Sequence, residues 1–177
     1  MAKASLKTIV THCDRILKTR EFEDYKGAVN GLQVENAGSV TRIAAAVDAS
    51  MATVKMAVAA GAELLIVHHG LFWAPSHPWT GNRYQLMRLL LDNDLAVYSS
   101  HLPLDAHARL GNNVGLCAAL GLKKLEPFFF DHGCHLGFQA GVKMTRDALG
   151  KKLAKVLGAE PTLLPGGPAQ CRKIGVV

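Results

Sequence analysis

Three apolar runs, each followed by a stretch with helical spacing, constrain the fold of this chain more than any other feature. Arg42 to Asp48 (RIAAAVD), Glu63 to Val67 (ELLIV) and Leu95 to Ser99 (LAVYS) are short and almost free of polar alternation. Runs of that kind read as strands covered on both faces. Ser50 is placed to cap a helix that runs through Ala60 and stops at Gly61. Arg83 to Asn93 carries Tyr84, Met87, Leu90 and Leu91 on one side, and a further helix spans Asn113 to Leu120 before Gly121. Strand and helix alternating in this way require right-handed crossovers. The predicted fold class is therefore α/β, a mostly parallel sheet with flanking helices.

The flanks follow the same logic. Ser5 can cap a first helix in which Leu6, Ile9, Val10, Cys13, Ile16 and Leu17 share a face. A polar stretch, Lys18 to Gly27, ends it, and Asn30-Gly31 is a turn signal before a short strand, Leu32 to Glu35. After Pro127 the texture changes. Leu136 to Val142 reads as a strand, Thr145 caps a basic helix to Leu157, and Lys173 to Val177 opens another buried strand. The expected organisation is one α/β domain over 1–127 and the start of a second α/β segment over 128–177. Because the last strand lacks its following turn, the chain is expected to be incomplete at the C-terminus.

Composition narrows the function classes. Hydrophobic residues make up 49% and charged residues 19% of the 177, which excludes a disordered chain. Charges interrupt every apolar run before membrane length, and no apolar signal core follows Met1, so a cytoplasmic location without membrane contact is expected. Net charge is +6, gathered late at Lys143, Arg146, Lys151, Lys152, Lys155, Arg172 and Lys173. A solvated helix face and attraction for phosphate both account for it. A nucleic-acid platform is disfavoured, because no aromatic residues interleave with the charges. The four cysteines form no Cys-x-x-Cys pair, which argues against a zinc knuckle or a redox dithiol.

Two strands empty into side chains of ligand type. Ligands of open parallel sheets bind beyond the carboxyl ends of the strands. His68 and His69 follow one strand; His101 and Asp105 follow another. Imidazole and carboxylate without thiolate suit Zn, Fe, Mn or Ni. Consecutive strand residues point to opposite faces, so His68 and His69 serve one site only if the strand has already ended, as Gly70 suggests. Their diverging vectors favour two neighbouring metals, one per imidazole, about 3.5–4 Å apart. Asp105 is placed to bind one metal terminally or to bridge. Asp48, also at a strand end, has helix capping as its expected role, with an auxiliary or substrate-facing role as the alternative. Trp73 and Trp79 are placed either at a pocket mouth or in packing. His77, His107, His132 and His135 have no comparable setting.

The blocks Asn30-Gly31-Leu32-Gln33-Val34, Ala46-Val47-Asp48-Ala49-Ser50, His68-His69-Gly70-Leu71-Phe72-Trp73, His101-Leu102-Pro103-Leu104-Asp105-Ala106-His107 and Gly111-Asn112-Asn113 occur in that order. Together they resemble the NIF-three-like family, whose bacterial members are known as GTP cyclohydrolase I type 2 homologues. The resemblance is strongest over residues 28–122. It implies two divalent metal ions, Zn, Fe or Mn, in a toroidal homohexamer. It implies His68 and His69 as ligands of different metals, Asp105 as a ligand of one, and His101 at or beside them; for hydrolysis at such a centre His101 is the candidate proton shuttle. The family completes its centre with a His-x-x-x-Glu motif, and none follows Asp105 in this chain. The implied activity is dinuclear-metal-dependent hydrolysis of a nucleotide, with GTP ring opening as the candidate. The alternative is a metal-binding hexameric scaffold or regulatory protein without turnover.

Overall fold

The computed structural model describes residues 3–177. The chain forms two compact units, dividing between Leu104 and Asp105. The 127/128 division drawn from the sequence falls inside a strand of the second unit.

The first unit begins with β1 (Ala4–Ser5) and α1 (Leu6–Leu17), whose first turn is capped by the Ser5 hydroxyl accepting from the Thr8 N–H. Then follow β2 (Gly31–Val34), β3 (Ser39–Val40), β4 (Ile43–Asp48), α2 (Met51–Ala59), β5 (Leu64–His69), α3 (Asn82–Asp92), β6 (Ala96–Ser99) and the one-turn α4 (Leu102–Asp105). α2 starts with a full capping box: Ser50 accepts from Thr53 N–H, and the Thr53 hydroxyl accepts from the Ser50 N–H.

The main sheet has strand order β2-β6-β5-β4. β5 lies parallel to both β4 and β6, as the βαβ pattern requires. β2 runs antiparallel to β6, pairing Gly31 with Ser99, so the sheet is mixed rather than parallel throughout. Alternate residues of the central strands feed two cores. Leu65, Val67 and Val97 pack with Val54, Ala57 and Leu90 of α2 and α3. Leu64, Ala96 and Tyr98 pack with Leu6 and the apolar side of α1. A sheet covered on both faces explains the continuous apolar runs of β5 and β6. β4 has the same composition but is not the buried strand its sequence predicts. It forms the sheet edge, and Ile43 and Val47 are exposed.

The second unit contains α5 (Asn112–Ala119), β7 (Glu126–Asp131), β8 (Cys134–Thr145), α6 (Arg146–Leu157) and β9 (Gln170–Val176). Its sheet, β7-β8-β9, is antiparallel, a departure from the parallel expectation. A two-residue turn, His132-Gly133, joins β7 to β8. Both residues have positive φ, 47° and 75°, the geometry that matches strand twist in tight hairpins. Cys117, Leu120 and Leu122 pack against Ala140, Ile174 and Val176. Thr145 caps α6, and Gly158 ends it in the left-handed conformation.

Candidate metal centre

β5 does not stop at Val67, as expected from Gly70, but runs through both histidines, with His69 in register with Asp48. Alternation would send the two rings apart. They meet nonetheless, with centroids 4.5 Å apart and planes 47° from parallel. Each is tied to a different neighbour of β5. His68 Nδ1–H donates to the Ser100 carbonyl just beyond β6, at 3.0 Å. His69 Nδ1–H donates to Asp48 Oδ1 at the end of β4, at 2.7 Å. The central strand thus places two rings, and its flanking strands aim them.

His101 lies two residues beyond β6. Its ring centroid is 5.0 Å from that of His68 and 5.5 Å from that of His69. One ring nitrogen from each of the three histidines lies within 4.8 Å of the others. His101 Nδ1–H donates to Asp24, at 2.9 Å from Oδ1 and 3.1 Å from Oδ2.

These three hydrogen bonds fix the tautomers. A carbonyl and two carboxylates only accept, so each Nδ1 carries the proton. In the neutral ring this arrangement puts the lone pair on Nε2, the nitrogen through which such an imidazole ligates a metal. A set of three imidazoles with no thiolate among them fits Zn, Fe or Mn.

Asp24 was not foreseen from the sequence, where it sits in the polar stretch after α1. Its side chain is only 4% exposed. Burial opposes its ionisation, but hydrogen bonds from His101, the Asn30 amide and the Tyr25 N–H outweigh burial and hold the carboxyl down at about 2. Asn30 works in two directions: Nδ2 donates to Asp24 Oδ2 at 2.7 Å, and Oδ1 accepts from the His101 N–H at 2.7 Å. Gln33, in the same sequence block, donates from Nε2 to the Val29 carbonyl and accepts the Leu71 N–H on Oε1, both at 2.7 Å. A side chain at Gly70 would collide with that amide.

Asp48 does not cap α2 with its side chain; Ser50 does, and the Asp48 carboxylate is on His69. Only its backbone carbonyl serves the cap, accepting from the Thr53 hydroxyl at 2.6 Å. Asp105 ends α4 and opens the second unit, where its Oδ1 accepts from Asn112 Nδ2 at 3.2 Å. His107 turns Nδ1 inward to accept the N–H groups of Arg109 and Leu110.

Beside the histidines, Trp73 donates from its indole N–H to the Gly70 carbonyl at 2.9 Å and meets the His101 ring edge-on, at 4.9 Å and 87°. Trp73 and Trp79 line a cleft of about 350 Å³ together with Phe72, His77 and Arg83.

The model of the family described as Duf34/NIF3 (NGG1p interacting factor 3) matches residues 4–177. A Treponema pallidum (strain Nichols) protein named GTP cyclohydrolase 1 type 2 homolog is 50% identical over 111 residues, 62% of this chain and 39% of the relative. A Halobacterium salinarum protein of the same name is 41% identical over 167 residues, 91% of this chain and 65% of the relative. This chain therefore spans less than two thirds of the length of either. Among solved structures, TTHA1606 from Thermus thermophilus superposes with a TM-score of 0.85 at 32% identity, over 96% of this chain and 68% of that one. Protein ybgI, described as of unknown function, gives 0.84 at 31% identity, over 97% and 68%.

Proposed function

This chain belongs to the Duf34/NIF3 family, and from that membership we propose that it carries the imidazole side of a dinuclear-metal hydrolase acting on a nucleotide. The candidate reaction is ring opening of GTP, suggested by the name of the relatives. In this reading two divalent ions, Zn, Fe or Mn, are held by His68 and His69, one each, with Asp105 as a ligand of one. The toroidal homohexamer implied by the resemblance, and a cytoplasmic location, belong to the same proposal.

The observation that carries the reading is the common orientation of three imidazoles. Every Nδ1 faces an oxygen acceptor, and one ring nitrogen from each of the three histidines lies within 4.8 Å of the others. Bound divalent ions would supply a water whose pKa is lowered toward neutrality. The rest is the work of the chain. His101 accepts and returns a proton at Nε2, and the Asp24 carboxylate on Nδ1 stabilises the imidazolium formed in between. Water adds at C8 of the purine, the C8–N9 bond opens, and a second water releases C8 as formate.

Formate release from GTP by protein loaded with zinc, iron or manganese tests this. The His68→Ala, His69→Ala double variant should lose turnover. Equal rates for wild type and double variant overturn the proposal and leave the scaffold reading.

A further inference from the structure

The cleft lined by Trp73 and Trp79 has a composition that the metal centre does not use. Its ring-bearing wall is fixed rather than loose. Trp73 is held by its indole N–H on Gly70 and by the edge contact with His101. Trp79 is propped by Phe72, with ring centroids 5.7 Å apart at 73°. Both indoles stay partly open, at 36% and 42% exposure, so neither is consumed by core packing. Indoles held in place with accessible π-surface bind planar rings by stacking, and every nucleobase offers a face to stack.

The polar side of the cleft carries one guanidinium and one imidazole. Arg83, at the start of α3, and His77 both line it. Among the described residues, neither the Arg83 guanidinium nor the His77 ring has a hydrogen-bond or ion-pair partner. A guanidinium fork left open at the rim of an aromatic cleft matches a phosphate. Among the described residues no carboxylate lines the cleft to compete for it. The volume, about 350 Å³, is at the small-ligand end of the usual range for binding sites.

We propose that this cleft binds a mononucleotide, with the base stacked on an indole face of Trp73 or Trp79 and the phosphate on Arg83, assisted by His77. Because Trp73 touches the rings of His69 and His101 edge-on, a ring stacked here lies beside the imidazole cluster. The proposal rests on the nucleotide reading above only in that last respect. Binding itself requires neither metal nor turnover.

Trp73 and Trp79 are the only tryptophans of the chain, so intrinsic indole emission reports on this cleft alone. Titration with GTP, guanosine and ribose 5-phosphate, without added metal, separates the two halves. GTP and guanosine should quench the emission saturably, and ribose 5-phosphate should not. Arg83→Gln should raise the Kd for GTP about tenfold and leave guanosine unchanged, as loss of a charge-assisted contact predicts. Trp79→Leu should weaken guanosine, and Trp73→Leu serves as the second variant if Trp79→Leu fails to fold. Quenching that survives in the His68→Ala, His69→Ala double variant supports the cleft even where formate release fails. Absence of saturable quenching by GTP and guanosine, or equal loss of both in Arg83→Gln, overturns it even where formate release succeeds.

Discussion

The Asp24 carboxylate sits 2.9 Å from Nδ1 of His101 across 77 residues of chain. That contact turns an ordinary polar segment into the support of the centre. Asp24→Asn keeps the shape and removes the charge. Formate release should fall roughly a hundredfold or more, the usual effect of impairing a general acid-base, with bound metal and fold retained. Formate release, elemental analysis and circular dichroism measure the three. Equal turnover in the variant would mean that Asp24 serves only the loop.

His69→Ala should lower bound metal without unfolding the first unit. The side chain is 43% exposed and lies beyond both apolar cores. Elemental analysis beside a thermal melt checks it. Unchanged stoichiometry rejects His69 as a ligand.

Gly27 has φ +80°, and a side chain there would strike the backbone of Ala74 in the cleft loop. Gly38 has φ +90° with open space around it. Gly38→Ala should cost about 1 kcal/mol from backbone strain alone, and Gly27→Ala clearly more, roughly 2–3 kcal/mol. Denaturant midpoints compare them, and the cleft proposal adds that only Gly27→Ala should weaken guanosine quenching.

Tyr98 gives a pH prediction. Burial pushes its phenol well above the ordinary range. The bond to Asp14 at 2.9 Å and the charge of Asp14 add to this, and the Thr19 hydroxyl opposes it. Above about pH 10 the unfolded chain releases this proton while the folded one keeps it. The stability contributed is therefore complete below about pH 10 and declines as pH rises beyond it. Phenolate absorbance of the folded protein should fall short of its three tyrosines, with the last released only on unfolding. Tyr98→Phe should remove the delayed step. Full ionisation without loss of structure would contradict the assignment.

The sheet centre and the placing of His68, His69 and His101 at strand ends are legible because their causes are local. ELLIV and LAVYS lack polar positions since β5 and β6 are covered on both faces. RIAAAVD has the same texture but lies at an edge. Apolar composition states a demand for cover and does not name the neighbour that meets it. β7 was missed because Pro127 interrupts its start and the tight turn uses His132 where Asn is the usual signal. Asp24 was illegible for a different reason. Nothing in a polar segment separates a buried carboxylate from a solvated one until the chain closes on itself.

Gln33 ties Val29 to Leu71 through a single amide. The edge strand and the aromatic loop are thereby riveted together across 38 positions of chain. Heating should then erase the loop's shape in the same cooperative step that detaches the strand, with no earlier fraying.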